Sequence, residues 1–167
     1  MEKLEKKSKK SAPEIEIREI KAEEAVSAAD LFSRLKRLNE EFDPHLRTSE
    51  KLDSDAFKNL KEKIGDKNNV ILVAHSGSKI VGVIKAGLKD RLYYEPRREG
   101  TIEEFYVMPE FRRGSLGVRL LDAMVAALKA KGAEFITAEF PTQNQIAHKF
   151  YTKHDFRPLA SVYSKTL

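Results

Sequence analysis

The fold of this chain is decided by residues 102–132, which read IEEFYVMPEFRRGSLGVRLLDAMVAALKAKG. The stretch opens with β-forming residues that complete a strand predicted over Gly100–Val107. A loop follows over Pro109–Gly114. Apolar residues then recur at the three- and four-residue spacing of an amphipathic helix over Ser115–Lys131, and Gly132 is placed to end that helix.

The elements on either side of this stretch complete an α/β domain. Ala133–Phe140 is predicted as the strand after the helix, and such a strand–helix–strand unit should join parallel strands by a right-handed crossover. Ser76-Gly77-Ser78 predicts an antiparallel hairpin. Further strands are predicted over 14–20, 70–75, 79–88 and 156–164, and further helices over 23–40, 53–64 and 142–153.

The predicted order of elements is β-α-α-β-β-β-α-β-α-β. A chain of 167 residues suggests one domain. The fold class that follows is a single-domain α/β protein with a mixed, mostly antiparallel sheet and helices on both faces.

The composition excludes several classes of protein. The chain has no cysteine, which excludes disulfides and thiolate nucleophiles, and its four histidines lack metal-ligand spacing, so we expect no metal site. No apolar run approaches the roughly 20 residues of a membrane span. The N-terminus has no apolar core of a secretory signal. We therefore expect a cytoplasmic protein that does not associate with a membrane.

The net charge of +5 comes largely from the N-terminus, where five lysines lie within the first ten residues. We expect residues 1–13 to form a disordered basic arm ahead of a folded domain over 14–167. A nucleic-acid tether is the sharper alternative. No aromatic residue interleaves those lysines, so nucleic acid is not the expected partner.

The loop before the strong helix has the composition of an anion site. A helix N-terminus presents unpaired N–H groups and partial positive charge, and small residues let phosphate oxygens approach the backbone. Two adjacent arginines add donors. The segment fits a pyrophosphate, while an ordinary strand-to-helix turn is the alternative. It reads Phe111-Arg112-Arg113-Gly114-Ser115-Leu116-Gly117-Val118.

Glu103 and Glu104 lie in the predicted strand just before this loop. Successive side chains of a strand point to opposite faces, so only one of the two can face a given pocket. That one is a candidate general base, and the other is expected in solvent or at the rim. Two carboxylates at the edge of a strand are the alternative.

The last predicted helix places Asn144, Ala147 and Tyr151 on one face, with Phe150 beside them. A polar residue at the start of that face and a phenol at its end could contact one extended ligand. The alternative is that Asn144 caps the helix and Tyr151 packs in the core.

In this order, the three segments resemble the GNAT N-acetyltransferase superfamily over residues 100–157. The family motif Arg/Gln-x-x-Gly-x-Gly/Ala, after a strand ending in Val-x-Pro, is matched by Val107-Met108-Pro109 and by Arg112 to Gly117. The later pattern Asn-x-x-Ala-x-x-Phe-Tyr-x-x-x-Gly-Phe is matched at Asn144, Ala147, Phe150, Tyr151 and Phe156.

Two positions depart from the family pattern. Ser115 stands where the first motif glycine is usual, and its hydroxyl is expected to be able to cap the helix. Asp155 stands where the glycine before the last phenylalanine is usual, and aspartate tolerates a left-handed turn better than most residues.

The resemblance implies an acetyltransferase domain over 14–167 that uses acetyl-CoA as cosubstrate and transfers the acetyl group directly to a primary amine. Tyr151 resembles the family's general acid. Glu103 or Glu104 is the candidate base, with Glu103 favoured because similar polyamine-type sequences carry a carboxylate there. The oxyanion is expected near the N–H of Val107. The implied coenzyme-binding residues are Phe105, Val107, Arg112, Arg113, Gly114, Ser115, Leu116, Gly117, Val118, Asn144 and Tyr151.

The acceptor is less well encoded. A small amine or polyamine, an aminoglycoside-like amine and a peptide amine all fit. Acidic and aromatic residues in the family's acceptor regions, Asn39–Asp43 and Tyr93-Tyr94-Glu95, are candidates to hold a cationic amine. A homodimer is common in the family. A non-catalytic module that binds or senses acetyl-CoA is the alternative function.

Overall fold

The computed structural model describes residues 14–167 as a five-stranded sheet flanked by helices; the arm predicted over 1–13 lies outside the described residues. The sheet order is β1-β2-β3-β4-β5. The strands are β1 Ile15–Glu19, β2 Asn69–Ser76, β3 Lys79–Asp90, β4 Arg98–Val107 and β5 Phe135–Ala138. The helices are α1 Ala25–Asn39, α2 Leu52–Lys63, α3 Leu116–Ala130 and α4 Gln145–Lys153.

The strand pairing confirms the predicted mixed sheet. β1, β2, β3 and β4 pair antiparallel in sequence order, and β4 pairs parallel with β5 across α3. The β2–β3 connection turns at Gly77, whose φ of +62° lies in the left-handed region that glycine adopts at no steric cost.

Helix α3 packs closely on one face of the sheet because two strand glycines leave room for it. A Cβ added at Gly82 would lie 2.9 Å from Leu120 Cδ1, and one at Gly100 would lie 2.9 Å from Leu128 Cδ1. Side chains alternate along β3, so Lys85 points to the opposite face. Helix α1 contacts β3 and β4 and packs against α2.

The last predicted strand, over 156–164, does not form, and residues 156–167 have no regular secondary structure. Two features of the chain explain this. The edge strand that precedes this segment along the chain, β5, has four residues, and Pro158 supplies no N–H to a ladder. The side chains of Val162 and Tyr163 are 94% and 92% exposed, so ordering this segment as a strand would bury little apolar surface.

Two smaller predictions have different outcomes. Asp155 adopts φ 64°, which confirms that aspartate takes the left-handed turn usually given to glycine. Val26 fits the apolar spacing that predicts a packed helix over 23–40, yet it is 68% exposed. Within residues 14–167, no helix has both the length and the apolar character needed to span a bilayer.

Candidate active site

Strand β4 contains a β-bulge at Glu103. Lys85 of β3 pairs with Glu104, while the next residue, Ala86, pairs with Ile102. Glu103 is therefore an extra residue in β4 with no counterpart in β3. A bulge of this kind interrupts the alternation of side chains along the strand.

Because of the bulge, both glutamates lie on the same face of the sheet, and the expectation that they point to opposite faces is wrong. Glu103 is ion-paired with Lys85, and its Oε1 lies 2.9 Å from where a Cβ on Gly87 would stand. Lys85 and Gly87 are two residues apart in β3 and share a face. Glu104, paired directly opposite Lys85, lies on that face too.

Each of the two glutamates is held by a lysine. Lys36 Nζ of α1 lies 2.7 Å from Glu104 Oε1, while Lys85 holds Glu103 from β3. Lys85 is only 6% exposed. The second oxygen of Glu104, Oε2, is buried and has no hydrogen-bond partner within the described part of the chain. That oxygen is an unused proton acceptor beside the bulge.

The pairing between β4 and β5 stops at the bulge, and the unpaired edge of β4 beyond it is called the gap below. Their pairing ends at Ile102 and Ala138, where the N–H of Glu139 donates to Ile102 O at 3.0 Å. Directly after β4, the N–H of Met108 donates to Val81 O of β3 at 2.9 Å. Backbone groups alternate in direction along a strand, so the N–H groups of Phe105 and Val107 point away from β3 and into the gap.

Arg112 is bound to the wall of this gap. Its Nε donates to Val107 O at 2.8 Å, and its guanidinium carbon lies 5.2 Å from the centre of the Tyr106 ring. The side chain therefore orients the Val107 peptide rather than standing free in the loop. Its neighbour Arg113 is exposed.

The first turn of α3 presents unpaired N–H groups as predicted, but Ser115 does not cap the helix through its hydroxyl. The first intrahelical hydrogen bond runs from Arg119 N to Ser115 O at 2.9 Å. The N–H groups of Leu116, Gly117 and Val118 precede that bond, so they have no acceptor within the helix and remain available to an anion.

Two glycines at this helix end have no structural reason to be glycine. Neither has a positive φ. A Cβ at Gly114 would have its nearest neighbour at 3.9 Å, and one at Gly117 would lie 3.6 Å from Phe150, both ordinary contacts. The backbone at Gly114 and Gly117 is open to a ligand, as a pyrophosphate site requires.

Phe150 of α4 brings the three sequence segments together. Its ring centre lies 5.7 Å from that of Phe105 in β4 and 5.4 Å from that of Tyr151, and its edge faces Gly117 of α3. The bulged strand, the helix N-terminus and the tyrosine therefore converge at one place.

Tyr151 is 5% exposed and stacks on Phe140, with ring centres 5.3 Å apart. Burial raises the pKa of its hydroxyl well above the usual value, so the group stays protonated at neutral pH. Asn144 caps α4: its Oδ1 accepts from the N–H of Ala147 at 3.0 Å. The Asn144 oxygen therefore caps the helix, which was the alternative to contact with a ligand.

The two predicted acceptor regions belong to different parts of the fold, one at the end of α1 and one in the loop between β3 and β4. Tyr93-Tyr94-Glu95 is in the loop before β4, and β4 runs away from it toward Val107, so that loop and Val107 lie at opposite ends of the strand. Glu40, after α1, accepts a hydrogen bond from the N–H of Thr48 at 2.6 Å. Hydrogen bonds from the Thr48 hydroxyl and N–H lower the pKa of Glu40.

A family comparison matches this arrangement. Residues 32–156 match the model of the acetyltransferase (GNAT) family, which is most of the chain. The chain belongs to the GNAT acetyltransferase family. It is therefore an acetyltransferase, as its resemblance implied. No curated protein sequence matches it significantly.

Solved structures share the GNAT fold at low sequence identity. A transcriptional regulator from Bacillus halodurans is 22% identical with a TM-score of 0.74, over 92% of this chain and 100% of that one. An aminoglycoside N-acetyltransferase in complex with CoA is 15% identical with a TM-score of 0.73, over 95% and 97%. A ribosomal-protein-alanine N-acetyltransferase from Brucella melitensis is 15% identical with a TM-score of 0.70, over 92% and 100%.

Sequence reasoning missed the two lysines of this GNAT site, although both left a signal. Lys36 lies four residues after the buried Phe32, on the side of α1 that faces the sheet. Lys85 is a charged residue inside a strand whose neighbours are apolar. A buried cation needs a counter-charge, so Lys85 could have been paired with a nearby carboxylate.

Proposed function

We propose that this acetyltransferase transfers the acetyl group of acetyl-CoA to a primary amine, either a small amine or polyamine or the amine of a peptide. The observation that carries the proposal is the convergence of an open helix N-terminus, the bulged strand β4 and a buried phenol around Phe150. The carboxylate of Glu104 belongs to the residue before Phe105 in that strand. The related structures include a CoA complex and enzymes named for aminoglycoside and ribosomal-protein-alanine acetylation, which supports an amine acceptor.

Acetyl-CoA would supply the acetyl thioester, with its pyrophosphate on the N–H groups of Leu116, Gly117 and Val118. These donors lie at the positive end of a 15-residue helix. Arg113 is exposed at the same end and can add a bidentate contact to a phosphate. The pantetheine arm would then enter the gap beside β4, within reach of the Asn144 amide nitrogen.

The N–H of Val107 is the group best placed to stabilise the oxyanion that forms on the thioester carbonyl. It points into the gap, and the hydrogen bond from Arg112 to Val107 O holds the adjoining peptide in place. A fixed donor costs no reorganisation when negative charge develops, which is how such groups lower the barrier.

The amine must lose a proton before it attacks. An alkylammonium with a pKa of about 10.4 is neutral in only about 1 molecule in 2,500 at pH 7, so a base is required. Each glutamate holds a lysine on one oxygen. We assign the role of base to Glu104 rather than Glu103, because Glu104 Oε2 is buried with no partner among residues 14–167, whereas the Glu103 side chain is 38% exposed. Tyr151, protonated at neutral pH, would donate to the departing thiolate.

Thiol release from acetyl-CoA against a panel of small amines, polyamines, aminoglycosides and peptide N-termini tests the proposal. We expect release with at least one amine class. Binding of acetyl-CoA with no release against any amine would favour a sensing module instead.

Substitution of the two glutamates separates their roles. Glu104→Gln should lower kcat by about a hundredfold or more, the usual contribution of a general base, with acetyl-CoA affinity retained. Glu103→Gln is the matched control, since it alters the same bulge and should lose less activity. A larger loss of kcat in Glu103→Gln than in Glu104→Gln would assign the role of general base to Glu103.

A further inference from the structure

The pairing of Lys36 with Glu104 puts an internal amine on the group proposed to accept the acceptor's proton. Lys36 Nζ lies 2.7 Å from Glu104 Oε1, in the position that an incoming ammonium would take on that carboxylate. A lysine side chain is itself a primary alkylamine, which is the acceptor class of the proposed function. On that basis, we propose that Lys36 is a site of self-acetylation by acetyl-CoA.

The position of Lys36 on α1 allows this reaction. It lies on the sheet-facing side of the helix, four residues after the buried Phe32. Its side chain nevertheless remains 41% exposed, so it has room to move. The gap between β4 and β5 opens directly after the bulge that carries Glu104. Self-acetylation requires the flexible four-carbon side chain to swing from the carboxylate to that gap.

Lys85 is the less suitable of the two lysines. It extends from the middle of β3, is 6% exposed and is ion-paired with Glu103. Moving its ammonium would leave a buried cation without its counter-charge, which is costly. The Lys36 side chain is 41% exposed, so its ammonium can leave the carboxylate while it stays partly in solvent, which costs less.

The reaction balances with acetyl-CoA as the only co-reactant. Glu104 takes one proton from the Lys36 ammonium and passes it to solvent. The neutral nitrogen attacks the thioester carbonyl, the new C–N bond forms and the C–S bond breaks. The thiolate leaves with the proton of Tyr151, and the nitrogen's second proton restores the phenol. The products are an amide on Lys36, free CoA thiol and one proton.

Acetylation would change the site. The amide carries no charge, so the ion pair with Glu104 Oε1 is lost and the carboxylate becomes free on both oxygens. The acetylated enzyme would then present an unpaired base to an external amine.

The experiment incubates the full chain with acetyl-CoA in the absence of any acceptor and maps acetylated peptides by mass spectrometry. We expect one acetyl group on the peptide that contains Lys36. Because the reaction is intramolecular, its first-order rate constant should not depend on enzyme concentration. Lys36→Arg should remove this modification while keeping the cation. Lys58→Arg, at an exposed lysine of α2, should leave it unchanged. Glu104→Gln should slow it by about a hundredfold.

Three results would overturn the inference. One is an unmodified Lys36 in an enzyme that acetylates an external amine; this leaves the proposed function intact. Another is modification of Lys36 at the same rate in wild type and Glu104→Gln, which indicates chemical acetylation of an accessible lysine. If acetyl-CoA binds but neither Lys36 nor any external amine is acetylated, the proposed function fails together with the inference.

Discussion

Gly117→Glu should abolish acetyl-CoA binding without unfolding the protein. Position 117 lies in the first turn of α3, where a carboxylate interacts favourably with the helix dipole. The Cβ position lies 3.6 Å from Phe150, which is an ordinary contact. The substitution therefore adds a negative charge at the proposed pyrophosphate site at little cost to folding.

The magnitude follows from Coulomb's law. A carboxylate about 4 Å from a phosphate oxygen repels it by about 4 kcal/mol at an effective dielectric constant of 20. Since each 1.4 kcal/mol is about a tenfold change in Kd, the dissociation constant for acetyl-CoA should rise by about a thousandfold.

Isothermal titration calorimetry with acetyl-CoA measures this change, and thermal unfolding of the same samples checks the fold. Gly117→Ala is the matched control: it adds the Cβ without the charge and should change Kd far less. Unchanged affinity in a folded Gly117→Glu protein would refute the assignment of the pyrophosphate to this helix end.

Three further predictions address catalysis, acid stability and packing. Tyr151→Phe should lower kcat by about a hundredfold while the calorimetric Kd for acetyl-CoA stays nearly constant, because only the proton donor is lost. An equal loss of kcat and of acetyl-CoA affinity would make Tyr151 a binding or packing residue. A hydrogen bond from Arg18 lowers the pKa of Glu24 from 4.5 to about 2, so its ionised form stabilises the fold above about pH 4.5. The stability advantage of wild type over Glu24→Gln in urea unfolding should therefore shrink as the pH falls from about 4.5 to about 2, and a constant difference would contradict it. Gly100→Ala should lower the free energy of unfolding by about 1–3 kcal/mol, because its Cβ would lie 2.9 Å from Leu128 Cδ1; an unchanged urea midpoint would show that α3 shifts freely.

The bulge at Glu103 explains how two consecutive residues of one strand can place their carboxylates on the same face. In a regular strand, Glu103 would have faced Lys85 and Glu104 would have faced α3. The extra residue turns Glu104 toward Lys36 instead. The bulge and the end of β4–β5 pairing occur within two residues of each other, so the same irregularity that aims the carboxylate lies beside the strand gap.

The local elements of this protein could be predicted from sequence. The apolar spacing over Ser115–Lys131 closely matches α3, which runs Leu116–Ala130, and the turn at Ser76-Gly77-Ser78 matches the β2–β3 hairpin. The helix and the hairpin depend on interactions among residues near in sequence, so periodicity and turn chemistry are sufficient to predict them. The strand predicted over 156–164 had the local pattern but does not pair with β5, an edge strand of only four residues.

By itself, the sequence determined the order of elements, the glycine-bearing loop before α3 and the identity of the candidate groups at Glu103, Glu104 and Tyr151. Only the tertiary structure decided which way those groups face. The register of β4 depends on its pairing with β3, a strand that precedes it along the chain, and alternation within β4 carries no information about an extra residue. The lysine on Glu104 comes from α1, through contacts between residues distant in sequence, and so the charge balance of the site emerges only when helix and sheet pack together.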